Sequence, residues 1–240
     1  MPLFHYYDNP VEAQNTIFSA RRDYYSHKGH EFGLCWSKPG SDLMYVNIPK
    51  NASSWTKPNL IDLGWEVFNY YRDFDAITLH NRRLIVKHAL VVLRDPVDRW
   101  ISGIAEYFTR YHNDLYDELS TAPHSNAMFK LVFDRIAFDD HTESQVYFIE
   151  DLDIKNITFF NCDETYRDNF SKYLSDELGV PNKYNRYEYQ HVSAKEPNRT
   201  NWKQLFKTVI DANPQYLDAV KDYNKKDYKL INLVKFYGSR

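Results

Sequence analysis

Two apolar runs of strand length constrain the fold of this chain more than any other feature. Residues 43–48 read "LMYVNI" and residues 88–93 read "HALVVL", and each run is followed at once by a turn that opens a helical pattern. Continuous apolar runs of this length are typical of strands that are buried on both faces. Short buried strands alternating with longer helices predict an α/β fold of three layers, in which helices flank a mostly parallel central sheet.

The other predicted elements support the same architecture. Apolar spacing and capping residues predict a third strand at 157–161 and helices at 10–27, 54–71, 96–111, 124–137, 143–150, 164–178 and 213–236. Because Pro and Gly are scattered and no low-complexity linker is present, we expect one domain over residues 1–240. In a fold of this class, ligands bind in the loops that follow the carboxyl ends of the strands.

Charge and composition exclude several classes of function. The net charge is −3, which gives no global attraction for nucleic acid, so any anion site must be local. The N-terminus lacks the pattern of a secretory signal, and no window reaches the length of an apolar membrane span. The two cysteines, Cys35 and Cys162, are expected to be free thiols in a reducing compartment. These features predict a soluble, cytoplasmic protein.

The first strand-to-helix turn, "PKNASSW" at 49–55, has the parts of an anion cradle. The N-terminus of a helix offers unpaired N–H groups and a partial positive charge. The small residues Ala52, Ser53 and Ser54 allow an anion to approach the backbone, and Lys50 adds a point charge. The turn is not a Walker A loop, because the GxxxxGK[ST] pattern is absent. An ordinary capped turn with a surface lysine is the alternative.

The second turn, "RDPVDRWIS" at 94–102, offers another cation at the end of a strand. Arg94 has a guanidinium shaped for phosphate, and Ser102 lies in the second turn of the helix that follows. Asp95 suits the N-cap and Pro96 the first helical position. A cap with ion pairs inside the helix is the alternative explanation of this pattern.

Together the two turns resemble the nucleotide-binding motifs of the sulfotransferases that use 3′-phosphoadenosine 5′-phosphosulfate. "PKNASSW" resembles the 5′-phosphosulfate loop, often written PKTGTTW, and "RDPVDRWIS" resembles the 3′-phosphate motif RDPxxRxxS of the carbohydrate sulfotransferases. "DDHTESQVYF", "QHVSAKEPNRT" and "YNKKDYKLINLVKFYG" resemble later segments of that group, in the expected order. The resemblance implies the P-loop NTPase-like sulfotransferase fold, the phosphosulfate donor, its desulfated product and no metal.

The resemblance also assigns roles to individual residues. It places Lys50 near the bridging oxygen of the phosphosulfate, and Arg94 and Ser102 on the 3′-phosphate. It gives Arg99 a structural role in an ion pair. The other cofactor-binding residues that it implies are the 5′-phosphate loop Asn51, Ala52, Ser53 and Ser54, an aromatic near the adenine at Trp55, and the basic loop residues Lys195 and Arg199. The loop departs from the family pattern because it contains no glycine.

The general base that takes the proton of the acceptor is not fixed by the motifs. Members of the family use His or Glu for this step, which contributes roughly 10²–10⁴ in rate. His80 lies between the two turns and is the first candidate, followed by His141 and Glu66. His88 precedes the strand at 88–93, at the end opposite to the ligand, and is discounted.

Two rival functions stay open at this point. A small-molecule kinase would need a Walker-type motif, which is absent. A catalytically silent nucleotide-binding protein would retain the fold without a base. The acceptor is expected to be a glycan or another hydroxylated molecule, selected by the loops 20–42, 72–84 and 110–142. Carbohydrate members of the family usually carry a Golgi anchor, and the lack of a predicted span is compatible with a bacterial or viral setting.

Overall fold

Five strands form one sheet in the part of the chain that the structure describes. The structure is a computed structural model, and it describes residues 34–69, 88–123, 127–149, 152, 154–180 and 197–239. The strands, in the sheet order β3-β1-β2-β4-β5, are β1 (Leu34–Ser37), β2 (Leu43–Val46), β3 (Glu66–Asn69), β4 (His88–Leu93) and β5 (Ile157–Asn161).

The sheet is mixed, which refines the prediction of a mostly parallel sheet. Strands β2, β4 and β5 are parallel neighbours, as predicted from the two apolar runs and the third strand. Strand β1 is antiparallel to both β2 and β3. Only residues 38–42 join β1 to β2, and such a short link allows an antiparallel hairpin but no parallel crossover. The α/β class with flanking helices is confirmed.

Helices cover both faces of this sheet and form a further layer beside it. The described helices are α1 (Ser53–Asp62), α2 (Pro96–Tyr111), α3 (Tyr116–Thr121), α4 (Ala127–Arg135), α5 (Tyr166–Leu178), α6 (Pro197–Ala212), α7 (Pro214–Tyr223) and α8 (Lys225–Leu233), with 3₁₀ turns at Asn113–Leu115, Gln145–Phe148 and Ile154–Asn156. None of the described helices is long and apolar enough to cross a membrane.

Several element boundaries differ from the sequence prediction. The helix expected at 54–71 ends at Asp62, where Gly64 adopts φ 77° and the chain turns into strand β3. The helix expected at 213–236 is two helices, α7 and α8, separated at Asn224. Strand β1 and helix α6 were not predicted. The helix expected at 10–27 and the loop 72–84 lie outside the described residues.

Alternation along the parallel strands divides the core between the two faces of the sheet. On one face Val91 packs in a cluster with Phe148, Ile149 and residues of α8. On the other face Leu90 packs in a cluster with aromatic residues of α1 and α5. A third cluster joins α2, α4, α6 and α7 beside the sheet. Because both faces are covered, the carboxyl edge of β2 and β4, with the turns that follow it, is the natural place for a site.

Candidate functional site

The turn after β2 has an unusual backbone. Lys50 and Ala52 adopt positive φ values of 71° and 56°, although neither is a glycine. Ala52 is the N-cap of α1, and its methyl side chain makes no capping hydrogen bond. A left-handed alanine costs roughly 1–2 kcal/mol relative to right-handed backbone. The surrounding contacts must therefore fix this turn, and those contacts come from Asn51, Arg94 and Arg99.

Asn51 ties the turn after β2 to the turn after β4. Its side chain is fully buried, and its amide donates at 2.7 Å to the Val92 carbonyl and at 2.7 Å to Oε1 of Gln145. The same Oε1 accepts the Arg94 backbone N–H at 3.0 Å, and Nε2 of Gln145 donates to the Arg94 carbonyl at 2.9 Å. The Gln145 amide therefore bridges both turns, and Arg94 completes the link by donating from Nη1 to the Lys50 carbonyl at 3.3 Å.

Arg99 fixes the same turn by donating hydrogen bonds to backbone carbonyls. Its guanidinium is 1% exposed, donates from Nε to the Pro49 carbonyl at 2.9 Å and from Nη2 to the Asp140 carbonyl at 2.9 Å, and also donates to the Glu143 carbonyl. Burial lowers the pKa of Arg99, and the nearby carboxylates partly offset this. The role expected for Arg99 was structural, through an ion pair; its hydrogen bonds go instead to backbone carbonyls of the turn after β2 and of the segment 140–143.

Asp227 fixes the segment that carries Gln145. This carboxylate of α8 is 1% exposed and accepts hydrogen bonds from Ser144 Oγ at 2.6 Å, from Gln145 N at 2.9 Å and from Val146 N at 3.0 Å. It thereby caps the 3₁₀ turn Gln145–Phe148, because carboxylates accept strongly from the free N–H groups of a helical start. The link between the two turns thus depends on a residue more than eighty positions downstream.

Glu106 gathers the charged side chains of the site. Its carboxylate lies on α2, the residue is 6% exposed, and it forms ion pairs with Lys50, with Arg110 one turn later, and with Arg199 of α6 at 3.0 Å. Nε2 of His141 lies 3.6 Å from the same carboxylate. A buried carboxylate in contact with three cations is electrostatically compensated by them.

His141 lies in the same cluster, with its other ring nitrogen turned to acidic groups. Nδ1 lies 2.8 Å from Asp140 and 3.2 Å from Asp139. Burial alone would lower the pKa of His141 and Lys50 acts in the same direction, but hydrogen bonds to Asp139 and Asp140 outweigh them and raise the pKa. These three residues also bring ligand atoms within 4.8 Å of one another, a spacing that could hold a metal ion, although acidic groups often cluster without one.

A glycine in α2 allows this cluster to approach the helix. A Cβ at Gly103 would lie 2.2 Å from the His141 carbonyl oxygen, which is closer than any side-chain carbon can pack against backbone. Gly103 is therefore required for the contact between α2 and the segment that contains His141. The close packing places the imidazole beside Glu106, one turn further along the same helix.

The structure brings together part of the predicted set. Lys50, Asn51, Arg94 and Arg199 meet at one edge of the sheet through the contacts above. Ser102 is half-buried on α2, one turn before Glu106, and Ser53 and Ser54 open α1. His80 and Lys195 lie outside the described residues.

Three predicted or considered residues lie elsewhere. Trp55 is 4% exposed and packs between Tyr166 and Phe170, so its ring belongs to the core, and the adenine contact implied by the resemblance stays a prediction. Glu66 is exposed at the start of β3, whose register places it beside the start of β2 and opposite to the two turns. His88 starts β4 at that same far end, 2.7 Å from Thr158 Oγ1.

Sequence reasoning missed Glu106, Gln145 and Asp227 as site residues. Glu106 carried a detectable signal, because it is a charged residue between the apolar Ala105 and Phe108 on a helix that is otherwise buried there. Gln145 and Asp227 lie in segments that the resemblance had included, but only their contacts show what they do.

Comparison of the chain with protein-family models, with curated proteins and with solved structures finds no match in any of the three.

Proposed function

We propose that this protein is a sulfotransferase that moves the sulfuryl group of 3′-phosphoadenosine 5′-phosphosulfate to a hydroxyl of an acceptor. The proposal rests on the two motifs, which resemble those of that family, and on the fact that they meet in space. The observation that carries it is the contact between Arg94 Nη1 and the Lys50 carbonyl at 3.3 Å. Two cationic turns, after neighbouring parallel strands, form one anion-binding edge.

The donor set at this edge fits a ligand with two separate anionic groups. The start of α1, with Ser53 and Ser54, would hold the 5′-phosphosulfate, because helix N-termini attract anions and the N-cap Ala52 offers no side-chain oxygen to the free N–H groups. Arg94 and Ser102 would hold the 3′-phosphate through charge-assisted hydrogen bonds. The left-handed Ala52 stands where the family pattern has its glycine, so the backbone shape that the family obtains with glycine is present here with alanine.

Lys50 would act in the transfer step, and its ion pair with Glu106 would position it there. In sulfuryl transfer the acceptor oxygen forms a bond to sulfur while the bond from sulfur to the bridging oxygen breaks, and the desulfated nucleotide leaves with the electron pair. Lys50 would stabilise the charge that develops on that leaving oxygen. Since Lys50 is paired with Glu106 in this structure, its ammonium is already positioned at the carboxyl edge of the sheet.

The proton of the acceptor hydroxyl needs a base near Lys50. Among the described residues, His141 is the imidazole that lies in this cluster, 3.6 Å from the Glu106 carboxylate that also pairs with Lys50. His80 remains the other imidazole candidate from the sequence. The acceptor class that the resemblance favours is a glycan or another hydroxylated molecule.

The experiment that tests the function is a transfer assay with sulfur-labelled donor and a panel of glycans, phenols and hydroxylated metabolites. Label transfer that Lys50→Ala abolishes supports the proposal. Binding of the desulfated nucleotide without transfer to any acceptor indicates a silent nucleotide-binding protein. Absence of both binding and transfer overturns the proposal.

A further inference from the structure

Helices α2 and α6 pack side by side in opposite directions, and their contacts fix the register. Near the start of α6, Arg199 reaches Glu106 at 3.0 Å. One turn later the ring of Trp202 lies 5.0 Å from that of Phe108, and further on the ring of Phe206 lies 6.0 Å from that of Trp100. The Phe206 ring also lies 5.1 Å from that of Phe108, so it spans the interval from Phe108 back to Trp100 while Trp202, earlier on α6, meets Phe108, as expected of antiparallel helices.

This register places a lysine level with the predicted 3′-phosphate pair. Lys203 follows Arg199 by one helical turn, and Ser102 precedes Glu106 by one turn. Because residues four apart share a helix face, Lys203 and Ser102 lie at the same level of the antiparallel pair. The electrostatic interaction of Lys203 with both Arg94 and Asp98, at the start of α2, agrees with this placement.

The surroundings of Lys203 are mostly positive. Arg94, Arg199 and Lys207 all act on it, while Asp98 is the acidic residue that opposes them. Lys203 is exposed on α6, and partial desolvation together with the neighbouring cations lowers its pKa. No described carboxylate lies within ion-pair distance of its ammonium, and it forms no hydrogen bond to a described residue. Like charges held this close favour binding of a multivalent anion between them.

We propose that Lys203 is a third ligand of the 3′-phosphate, beside Arg94 and Ser102. The inference rests on the proposed function and adds a residue outside the two motifs. A phosphomonoester carries about −1.5 to −2 charges at neutral pH, which a single arginine does not neutralise. Lys203 approaches from α6, so that helix would contribute to discrimination between nucleotides with and without the 3′-phosphate.

The test is calorimetric titration of two nucleotides at one salt concentration. Wild type, Lys203→Gln and the matched control Lys207→Gln, one turn further along α6, are each titrated with 3′-phosphoadenosine 5′-phosphate and with adenosine 5′-phosphate. We expect Lys203→Gln to weaken binding of the bisphosphate about tenfold and to change binding of the monophosphate less than about twofold. Lys203→Arg should keep most of the preference, and Lys207→Gln should leave it within about threefold of wild type.

The outcomes separate this inference from the proposed function. A wild type that binds both nucleotides equally well overturns the function itself. A wild type that prefers the bisphosphate, with a preference that Lys203→Gln reduces by less than about threefold, overturns the role of Lys203 alone. Equal weakening of the binding of both nucleotides also overturns the role of Lys203, and so does an equal loss of preference in Lys207→Gln. Either result indicates a general effect of positive charge on α6 and no specific contact. Thermal unfolding verifies that each variant is folded, and Lys203→Met provides a second uncharged variant that keeps the aliphatic stem.

Discussion

The side-chain amide of Asn51 donates a hydrogen bond of 2.7 Å to Oε1 of Gln145, across 94 positions of sequence. Through this bond the turn after β2 is joined to the segment that also binds both backbone groups of Arg94. The neutral side-chain amide of Gln145 thus fixes the relative position of the two proposed phosphate sites. The motif assignment does not make Gln145 a ligand of either phosphate. This arrangement makes Gln145 a positioning residue.

Replacement of Gln145 by Ala should therefore affect both stability and nucleotide binding. The buried Asn51 amide and the half-buried Arg94 N–H lose their acceptor, and the unsatisfied Asn51 donor alone costs about 1–3 kcal/mol of unfolding free energy. Denaturant unfolding measures the stability, and titration with 3′-phosphoadenosine 5′-phosphate measures the binding. Gln204→Ala, at an exposed position of α6, is the control. A Gln145→Ala variant as stable as wild type would contradict the bridging role.

Ala52→Gly should stabilise the protein slightly. Ala52 adopts φ 56°, a conformation that glycine reaches without the steric cost of a Cβ. The greater flexibility of glycine in the unfolded state offsets part of the gain, so we expect a net increase of about 0.5–1 kcal/mol. Chemical denaturation measures the change in unfolding free energy. Ala105→Gly, inside helix α2, is the matched control and should lower stability. A loss of stability in Ala52→Gly would show that the left-handed turn is not strained.

Substitution of Lys50 and substitution of Arg94 should affect different steps, catalysis and nucleotide binding respectively. Lys50→Ala is expected to depress turnover far more than it weakens binding of the desulfated nucleotide, because the charge that it is proposed to stabilise grows in the transition state. Arg94→Ala should act mainly on nucleotide affinity, by about tenfold or more. Steady-state kinetics and calorimetry on both variants give the ranking. The reverse ranking would mean that the two roles are misassigned.

The stability contributed by His141 should depend on pH. Its pKa is raised above the ordinary value of 6.5 by Asp139 and Asp140, against the opposing effects of burial and of Lys50, while Glu106 faces its other nitrogen. A raised folded-state pKa gives stability that is fully present below the unfolded value and is lost as pH rises through the folded value. The difference in unfolding free energy between wild type and His141→Gln should thus be larger at about pH 5.5 than at about pH 8.5. A difference that grows with pH would contradict the raised pKa.

The identity of the general base can be tested by replacing each of two histidines, His80 and His141, with Asn. An Asn variant keeps a polar side chain of similar size but cannot accept the acceptor proton as a base. His80→Asn should lower turnover by about 10²-fold or more if His80 is the base, and His141→Asn should do so if His141 is. Nucleotide affinity in both variants should stay near wild type, which is the control for folding. Near-native turnover in both variants would exclude an imidazole base at these positions.

The sequence by itself determined the elements that repeat a simple pattern. The apolar runs at 88–93 and 157–161 are strands at the predicted bounds, and helix α2 begins at Pro96 after its Asp95 cap, as predicted. Local signals suffice there, because a continuous apolar run or a cap followed by proline has few alternative structures. The positions of Lys50 and Arg94 at the ends of neighbouring parallel strands follow from those elements.

Only the tertiary structure decided which distant side chains complete the site. Glu106 is identified by contacts to Lys50 and Arg199, and Asp227 by the hydrogen bonds that fix the segment with Gln145. Such partners have no periodicity in sequence, because the choice depends on how helices α2, α6 and α8 pack. The mixed sheet has the same origin: the short link 38–42 makes β1 antiparallel to both of its neighbours, β2 and β3, which the hydrophobic pattern alone does not encode.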